Sequence, residues 1–253
     1  MPRVFHEQPI SWPCDRITIT GDDCHHLFHV LRMKPGDRLI VCDGQRSDYH
    51  GIIESLNANQ AVIHVGKRVE NQAEPPYQAV LYQGLARGDR MDILIQKAVE
   101  LGVRRIVPVR CQRSVVRLTG RDAERKTQRW QKIALEAARQ CGRGVIPQVD
   151  EPVDFSEAVA AIQQADLAVF PWESERRLGI RTYLEQQLSK QVKTAPVMQI
   201  SILIGPEGGF ALEEAELVVR RGIFPVSLGQ RILRTETAGI VVLAMLAYQF
   251  NDF

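Results

Sequence analysis

The chain has 253 residues, 45% hydrophobic and 25% charged, with a net charge of +2. These are the proportions of a soluble globular protein, with room for one large domain or two ordinary ones. No apolar run approaches a membrane span, and Met1 to His6 lacks the apolar core of a signal peptide. Five scattered cysteines (Cys14, Cys24, Cys42, Cys111, Cys141) argue against a disulfide framework and for a reducing, cytoplasmic setting.

Charge is distributed unevenly. Residues 1–83 carry −2, residues 84–146 carry +9 and residues 147–253 carry −5. A concentrated basic stretch in a near-neutral chain points to a polyanion partner; the plainer reading is a solvated, arginine-rich helix face.

The first seventy residues read as short pieces. Arg16–Thr20, Asp37–Cys42 and Gln60–Val65 have strand character, and Asp43-Gly44 is a hairpin signal. Asp23–Arg32 reads as one short helix with Leu27, Phe28 and Val30 inward. Together they predict a small β-barrel with a helix over residues 1–72. The polar run Asn71–Pro76 reads as a linker, residues 73–77 in particular, because its double proline stops any element.

Beyond it, strand and helix alternate. Ala79–Tyr82, Ile106–Val109, Leu167–Phe170, Ile200–Ile204 and Pro225–Leu228 are strand candidates. Asp89–Leu101, Ala123–Cys141, Leu212–Arg221 and Thr235–Phe250 are helix candidates. The first of these carries Met91, Leu94, Ile95, Ala98 and Val99 on one face and stops at Gly102. The alternation predicts an α/β domain over residues 78–253, with a mainly parallel sheet covered by helices.

Two loops in the last fifty residues hold the candidate chemistry. Ser201–Ile204 runs into Gly205-Pro206-Glu207-Gly208-Gly209-Phe210. Leu228-Gly229 runs into Arg231-Ile232-Leu233-Arg234-Thr235-Glu236-Thr237-Ala238 and the last helix. Glycine and proline suit tight turns and close approach of backbone to a ligand. Loops at the carboxyl ends of strands are where an α/β sheet usually binds one. The chain has no G-x-S-x-G elbow, Walker A loop or G-x-G-x-x-G after a first strand. Cys24, His25, His26 and His29 lack a second ligand pair at finger-like spacing, so no metal is expected.

GPEGGF after a strand, then L-G-x-R-I-L-R-T-E-T-A, closely resembles the RsmE-type family of the SPOUT methyltransferases. These are 16S ribosomal RNA uridine-N3 methyltransferases. The resemblance covers the whole chain: Lys97–Val103, Arg113-Ser114, Glu136–Arg143 followed by Ile146-Pro147, and at the N-terminal end His26, Val30-Leu31-Arg32 and Gly36-Asp37. Arg87 stands where a lysine is common, which keeps the charge.

That resemblance implies a PUA-like RNA-binding barrel followed by a trefoil-knotted domain, with the knot formed around residues 201–210 and 225–238. It implies S-adenosylmethionine bent between the two loops, a homodimer made partly by the apolar last helix, and 16S rRNA in the small ribosomal subunit as substrate. Leu203, Ile204, Leu228, Ile232 and Leu233 would wall the adenine, with Gly229 leaving it room. Gly205, Pro206, Glu207, Gly208 and Gly209 would meet the cofactor through their backbone. Thr235, Thr237 and Ala238 would receive it at the helix start, the threonines as donors to its carboxylate.

Uridine N3–H is a weak acid, so the reaction needs a base or a cation that stabilises the anion. Arg234 is the candidate cation, and Glu236 and Glu207 are the candidate acceptors. The helix dipole explains Glu236 equally well, Glu207 also suits a structural turn, and Arg234 an ordinary ion pair. His26, Arg32, Arg87, Arg113, Arg139, Gln140 and Arg143 would face RNA. The rival readings are another SPOUT activity on a different nucleoside, a non-catalytic ribosome assembly factor and a general nucleic-acid-binding protein.

Overall fold

The computed structural model describes residues 1–6, 8–190 and 197–252. The chain forms two compact units. One holds Met1–Glu74 and Ala138–Ile146; the other holds Pro75–Ala137 and the chain from Pro147 onward.

In the first unit, β1 (Arg3–Phe5), β2 (Arg16–Thr20), β3 (Arg38–Cys42), β4 (Ser47–Leu56) and β5 (Gln60–Glu70) form one sheet in the order β1-β3-β4-β5-β2. Every pairing is antiparallel except β1 with β3. Alternation sets the inner face: Ile17 and Ile19 of β2 are buried while Arg16, Thr18 and Thr20 are exposed. Bulges at His50/Gly51 and Ile53/Ser55 bend β4 against β5 around a core that includes Val4, Leu27, Leu39, Tyr49 and Ile63. The Asp43-Gly44 turn joins β3 to β4 as the sequence suggests.

The helix expected over residues 23–32 is two pieces, α1 (Gly21–His25) and a wider π-helical turn over His26–Val30. The wider turn changes which side chains face inward. Cys24 and Leu27 are buried, whereas Phe28 and Val30 point outward, contrary to expectation.

The run read as a linker is anchored by polar bonds. Glu74 accepts from the Arg143 guanidinium through Nε and Nη2, each at 2.8 Å, and from the backbone N–H groups of Gly144 and Val145. The two side chains are 3% and 5% exposed. Asn71 Nδ2 donates to Asp48 and to the carbonyl of Gly142, and Arg3 donates twice to Asp48. Residues 138–146 are thereby bonded into the unit formed by the start of the chain.

The second unit contains β6 (Tyr77–Gly84), α2 (Arg90–Glu100), β7 (Arg105–Arg110), α3 (Gly120–Cys141, its last turn counted with the first unit), β8 (Gln148–Val149) and β9 (Val153–Asp154). It continues with α4 (Phe155–Ile162), β10 (Leu167–Pro171), α5 (Ile180–Lys190), β11 (Met198–Ile204), α6 (Leu212–Arg220), β12 (Pro225–Val226) and α7 (Thr235–Gln249). The sheet order is β12-β10-β11-β6-β7-β8, with β9 beside β7, and every pairing is parallel. The central strands β6 and β11 are largely buried, as parallel strands covered on both faces must be. Helix α7 buries Gly239, Val242, Leu243, Leu246 and Ala247 against α2, β6 and β11. Among the described residues no helix is long and apolar enough to cross a membrane.

Breaking a buried ion pair strands the surviving charge, at a cost of about 3–5 kcal/mol. Glu74→Gln should lower the unfolding free energy by roughly that amount in urea titrations followed by circular dichroism. Burial alone would raise the Asp48 carboxyl, but the Arg3 and Asn71 bonds outweigh it and hold it below its ordinary 3.8. Its contribution to stability is therefore present above that value and lost as the pH falls through the lower folded value. The melting temperature should drop on acidification below about pH 4, and Asp48→Asn should flatten that dependence.

Candidate active site

β6 and β11 pair in register, Tyr82 with Leu203 and Gln83 with Ile204, so their carboxyl ends open side by side. The chain leaves them through Gly84 and through Gly205-Pro206. A side chain at position 84 would place its Cβ 2.5 Å from the Pro206 nitrogen, so only glycine permits this approach. At the carboxyl ends of β10, β11 and β12 lies a cavity of about 560 Å³, a size typical of small-ligand sites. The loops 205–210 and 227–238 wall it, together with Trp172, Glu173 and Arg176 beyond β10. Gly229 sits at φ +108, and a Cβ there would meet nothing within 4 Å. The positive φ alone favours glycine at this position.

The expected cofactor residues Ile204, Gly205, Pro206, Glu207, Gly208, Gly209, Leu228, Gly229, Ile232, Leu233, Thr235 and Ala238 all line this cavity. Leu203 does not; it alternates with Ile204 along the strand and faces the core beside Phe210 and Val107. Thr237 also lies outside the lining. The Thr235 hydroxyl is already engaged, donating to the Gly205 carbonyl at 2.5 Å and accepting from Gln83 Nε2 at 2.7 Å. Ile232 is 78% exposed and leaves apolar surface at the cavity's edge for a ligand ring to cover.

Arg90, unremarked in the sequence, ties together the two candidate proton acceptors. Its Nη1 lies 2.5 Å from Glu207 Oε1 and its Nε lies 3.7 Å from Glu236 Oε1. Glu207 Oε1 also accepts the Arg87 backbone N–H at 2.7 Å. Burial opposes the charged form of Glu207, but that N–H, its own N–H and the Arg90 guanidinium together hold the carboxyl below its ordinary value. Glu236 stands in the first turn of α7 with its side chain 14% exposed, and its buried Oε2 has no hydrogen-bond partner. Arg234, the N-cap of α7, is exposed and lines the cavity. Its guanidinium has no partner among the described residues. No sequence pattern announces Arg90; the pairing of β6 with β11 brings the start of α2 to the 205–210 loop.

The residues expected to face RNA divide. Arg143 is buried on Glu74, and Arg139 is ion-paired with Asp23 and mostly buried, so neither guanidinium is presented at the surface. Arg113 is exposed, with Nη1 3.3 Å from the Gly208 carbonyl. Arg32, Arg87 and Gln140 are exposed, and His26 is half-buried. Arg32 holds φ +51, a conformation few non-glycine residues adopt. Much of the basic stretch is neutralised by pairs such as Arg105 with Asp150, Arg110 with Asp154 and Arg129 with Asp92. Among the described residues, no group of three His, Cys, Asp or Glu side chains could hold a metal ion.

Residues 73–247 match the RNA methyltransferase domain family, and residues 19–66 match the RNA methyltransferase PUA domain. The chain belongs to the RNA methyltransferase family. This RNA methyltransferase is similar to the ribosomal RNA small subunit methyltransferase E of Bacillus subtilis (strain 168), at 32% identity over 92% of this chain and 90% of the relative. It is also similar to the crystal structure of a ribosomal RNA small subunit methyltransferase E from Neisseria gonorrhoeae bound to S-adenosyl methionine. There the TM-score is 0.82 and the identity 28%, covering 99% of this chain and 98% of the other. A methyltransferase structure from Legionella pneumophila with bound SAM gives a TM-score of 0.82 and 29% identity over 98% of this chain and 97% of the other.

Of the two cavity carboxylates, Glu207 lies closer to the Arg90 guanidinium, and its titration should register the loss of that cation. In Arg90→Met, loss of the cation should raise the Glu207 pKa, read by carbon-13 NMR against the wild-type signal. An unmoved Glu207 titration would assign its depressed value to backbone N–H groups alone.

Proposed function

We propose that this RNA methyltransferase moves the methyl group of S-adenosylmethionine to N3 of a uridine in 16S ribosomal RNA of the small subunit. It acts in the cytoplasm as a homodimer. Residues 1–72 form the RNA-binding domain, 73–77 the linker, and 78–253 the transfer domain with the trefoil knot of the SPOUT fold. The observation that carries the reading is a pair of groups on either side of Thr235: the exposed Arg234 guanidinium, without a partner among the described residues, and Glu236, which lines the same cavity and whose buried Oε2 has no hydrogen-bond partner.

The cavity suits the cofactor in size and lining. Ile204, Leu228, Ile232 and Leu233 offer apolar surface for an adenine, and the backbone of 205–209 offers polar groups within one turn of it. Bound there, S-adenosylmethionine supplies an electrophilic methyl group. Arg234 orients the uracil and stabilises negative charge as N3 loses its proton. Glu236, which lines the cavity and whose Oε2 has no protein donor, is the acceptor of that proton. Glu207, held by Arg90 and Arg87, shapes the wall and does not take part in proton transfer.

Exposed Arg32, Arg87, Arg113, Arg117 and Arg121 are available to phosphates. On α7 the side chains of Ile240, Val241 and Met245 stay half-buried and Tyr248 is exposed, with Ile93 exposed on α2. A second copy covering them would complete the burial that an all-apolar helix requires.

The test is incubation with methyl-labelled S-adenosylmethionine and small subunits from cells lacking the enzyme, followed by nucleoside analysis. Label should appear in 3-methyluridine; label in another nucleoside would move the chain to a different SPOUT activity. Arg234→Ala should cut turnover by about 100-fold or more while the cofactor Kd stays within about threefold. Wild-type-like turnover would sink the role given to Arg234.

A further inference from the structure

Behind the cavity wall sits a glutamine that contributes nothing to the lining. Gln83, at the end of β6, is 0% exposed. A Cβ on Gly239 of α7 would touch its Oε1 and the side chains of Leu81 and Leu94, so the amide lies in an apolar layer between helix and sheet. Its Nε2 donates to the Gly84 carbonyl at 3.1 Å and to Thr235 Oγ1 at 2.7 Å. Thr235 in turn donates its hydroxyl proton to the Gly205 carbonyl at 2.5 Å. Gln83 Oε1 accepts no hydrogen bond.

A buried amide oxygen without a donor is a cost to the folded state. A leucine would fill nearly the same space without that cost, and the neighbours are already apolar. Stability of the core therefore does not account for glutamine here. Its two bonds do have a geometric result. With the bond from the Thr235 hydroxyl, they join three backbone segments at one point: the end of β6, the Gly205 turn and the first residue of α7. The first segment lies behind the cavity, and the other two, at Gly205 and Thr235, line it.

We propose that Gln83 is a positioning residue for the cofactor site: through the Thr235 hydroxyl it fixes the Gly205 turn against the start of α7 and so sets the width of the cleft. This rests on the reading that the cavity holds S-adenosylmethionine. Gln83 touches no ligand and acts only through Thr235.

The test uses the full-length protein and three variants, Gln83→Leu, Thr235→Val and the double variant. Thermal melts without ligand and calorimetric titration with S-adenosylmethionine are run on each. Gln83→Leu should melt at or above the wild-type temperature yet bind the cofactor at least about tenfold more weakly, because an unpaired polar group is removed along with the tether. Thr235→Val should weaken binding to a similar degree. The double variant should lose little more than either single one, since both break the same relay. A melting temperature that falls together with affinity would make Gln83 an ordinary packing residue. Unchanged affinity in Gln83→Leu, or additive losses in the double variant, would overturn the relay while leaving the cofactor reading intact. Wild-type protein that binds no S-adenosylmethionine would overturn the cofactor reading and this inference with it.

Discussion

Everything at the site depends on a contact in which one partner has no side chain. Gly84 at the end of β6 lies against Pro206 at the end of β11, too close for any Cβ. That approach lets two parallel strands end side by side and diverge at once, one toward α2 and the other into the 205–210 loop. Arg90 then reaches Glu207 because α2 starts a few residues after Gly84. A larger residue at 84 would push the two strand ends apart and displace both the Arg90–Glu207 pairing and the Pro206 wall of the cavity.

Within that frame, function is written in which polar groups are satisfied and which are not. Glu207 and Glu236 are both acidic, both on the cavity wall and both near Arg90, yet their oxygens have different fates. Glu207 Oε1 is held by two donors, whereas Glu236 Oε2 has none. Buried polar atoms without partners are uncommon in folded proteins. That two of them, Gln83 Oε1 and Glu236 Oε2, occur within three residues of Thr235 in bonding or in sequence marks this corner as shaped by something other than stability.

The sequence shows the large features because they are periodic or local. The alternation of strand and helix after residue 78 reads directly as the parallel sheet, and the Gly-Pro loop lines a cavity. What it hides is of three kinds. Very short elements such as β8 and β9 have no period to detect. A change of helical pitch at His26 moves Phe28 and Val30 to the outside without altering the apolar pattern. Partners distant in the chain are invisible: Arg143 looks like its neighbours in a basic stretch, and only the fold supplies Glu74 to bury it. Charge counted along a sequence overstates charge presented to a partner, since Arg105, Arg110 and Arg129 each meet an aspartate.

The placement of residues 138–146 in the first unit has a consequence for how the protein is made. Synthesis runs from the N-terminus, and domains usually close in that order as they leave the ribosome. Here the strands of the first unit emerge early, but Glu74, Asn71 and Arg3 wait for Arg143 and the backbone around it. During that interval β6, α2, β7 and most of α3 are already outside. The first unit to begin is therefore not the first that can finish, and the buried acid at position 74 stays solvated until the segment that neutralises it arrives.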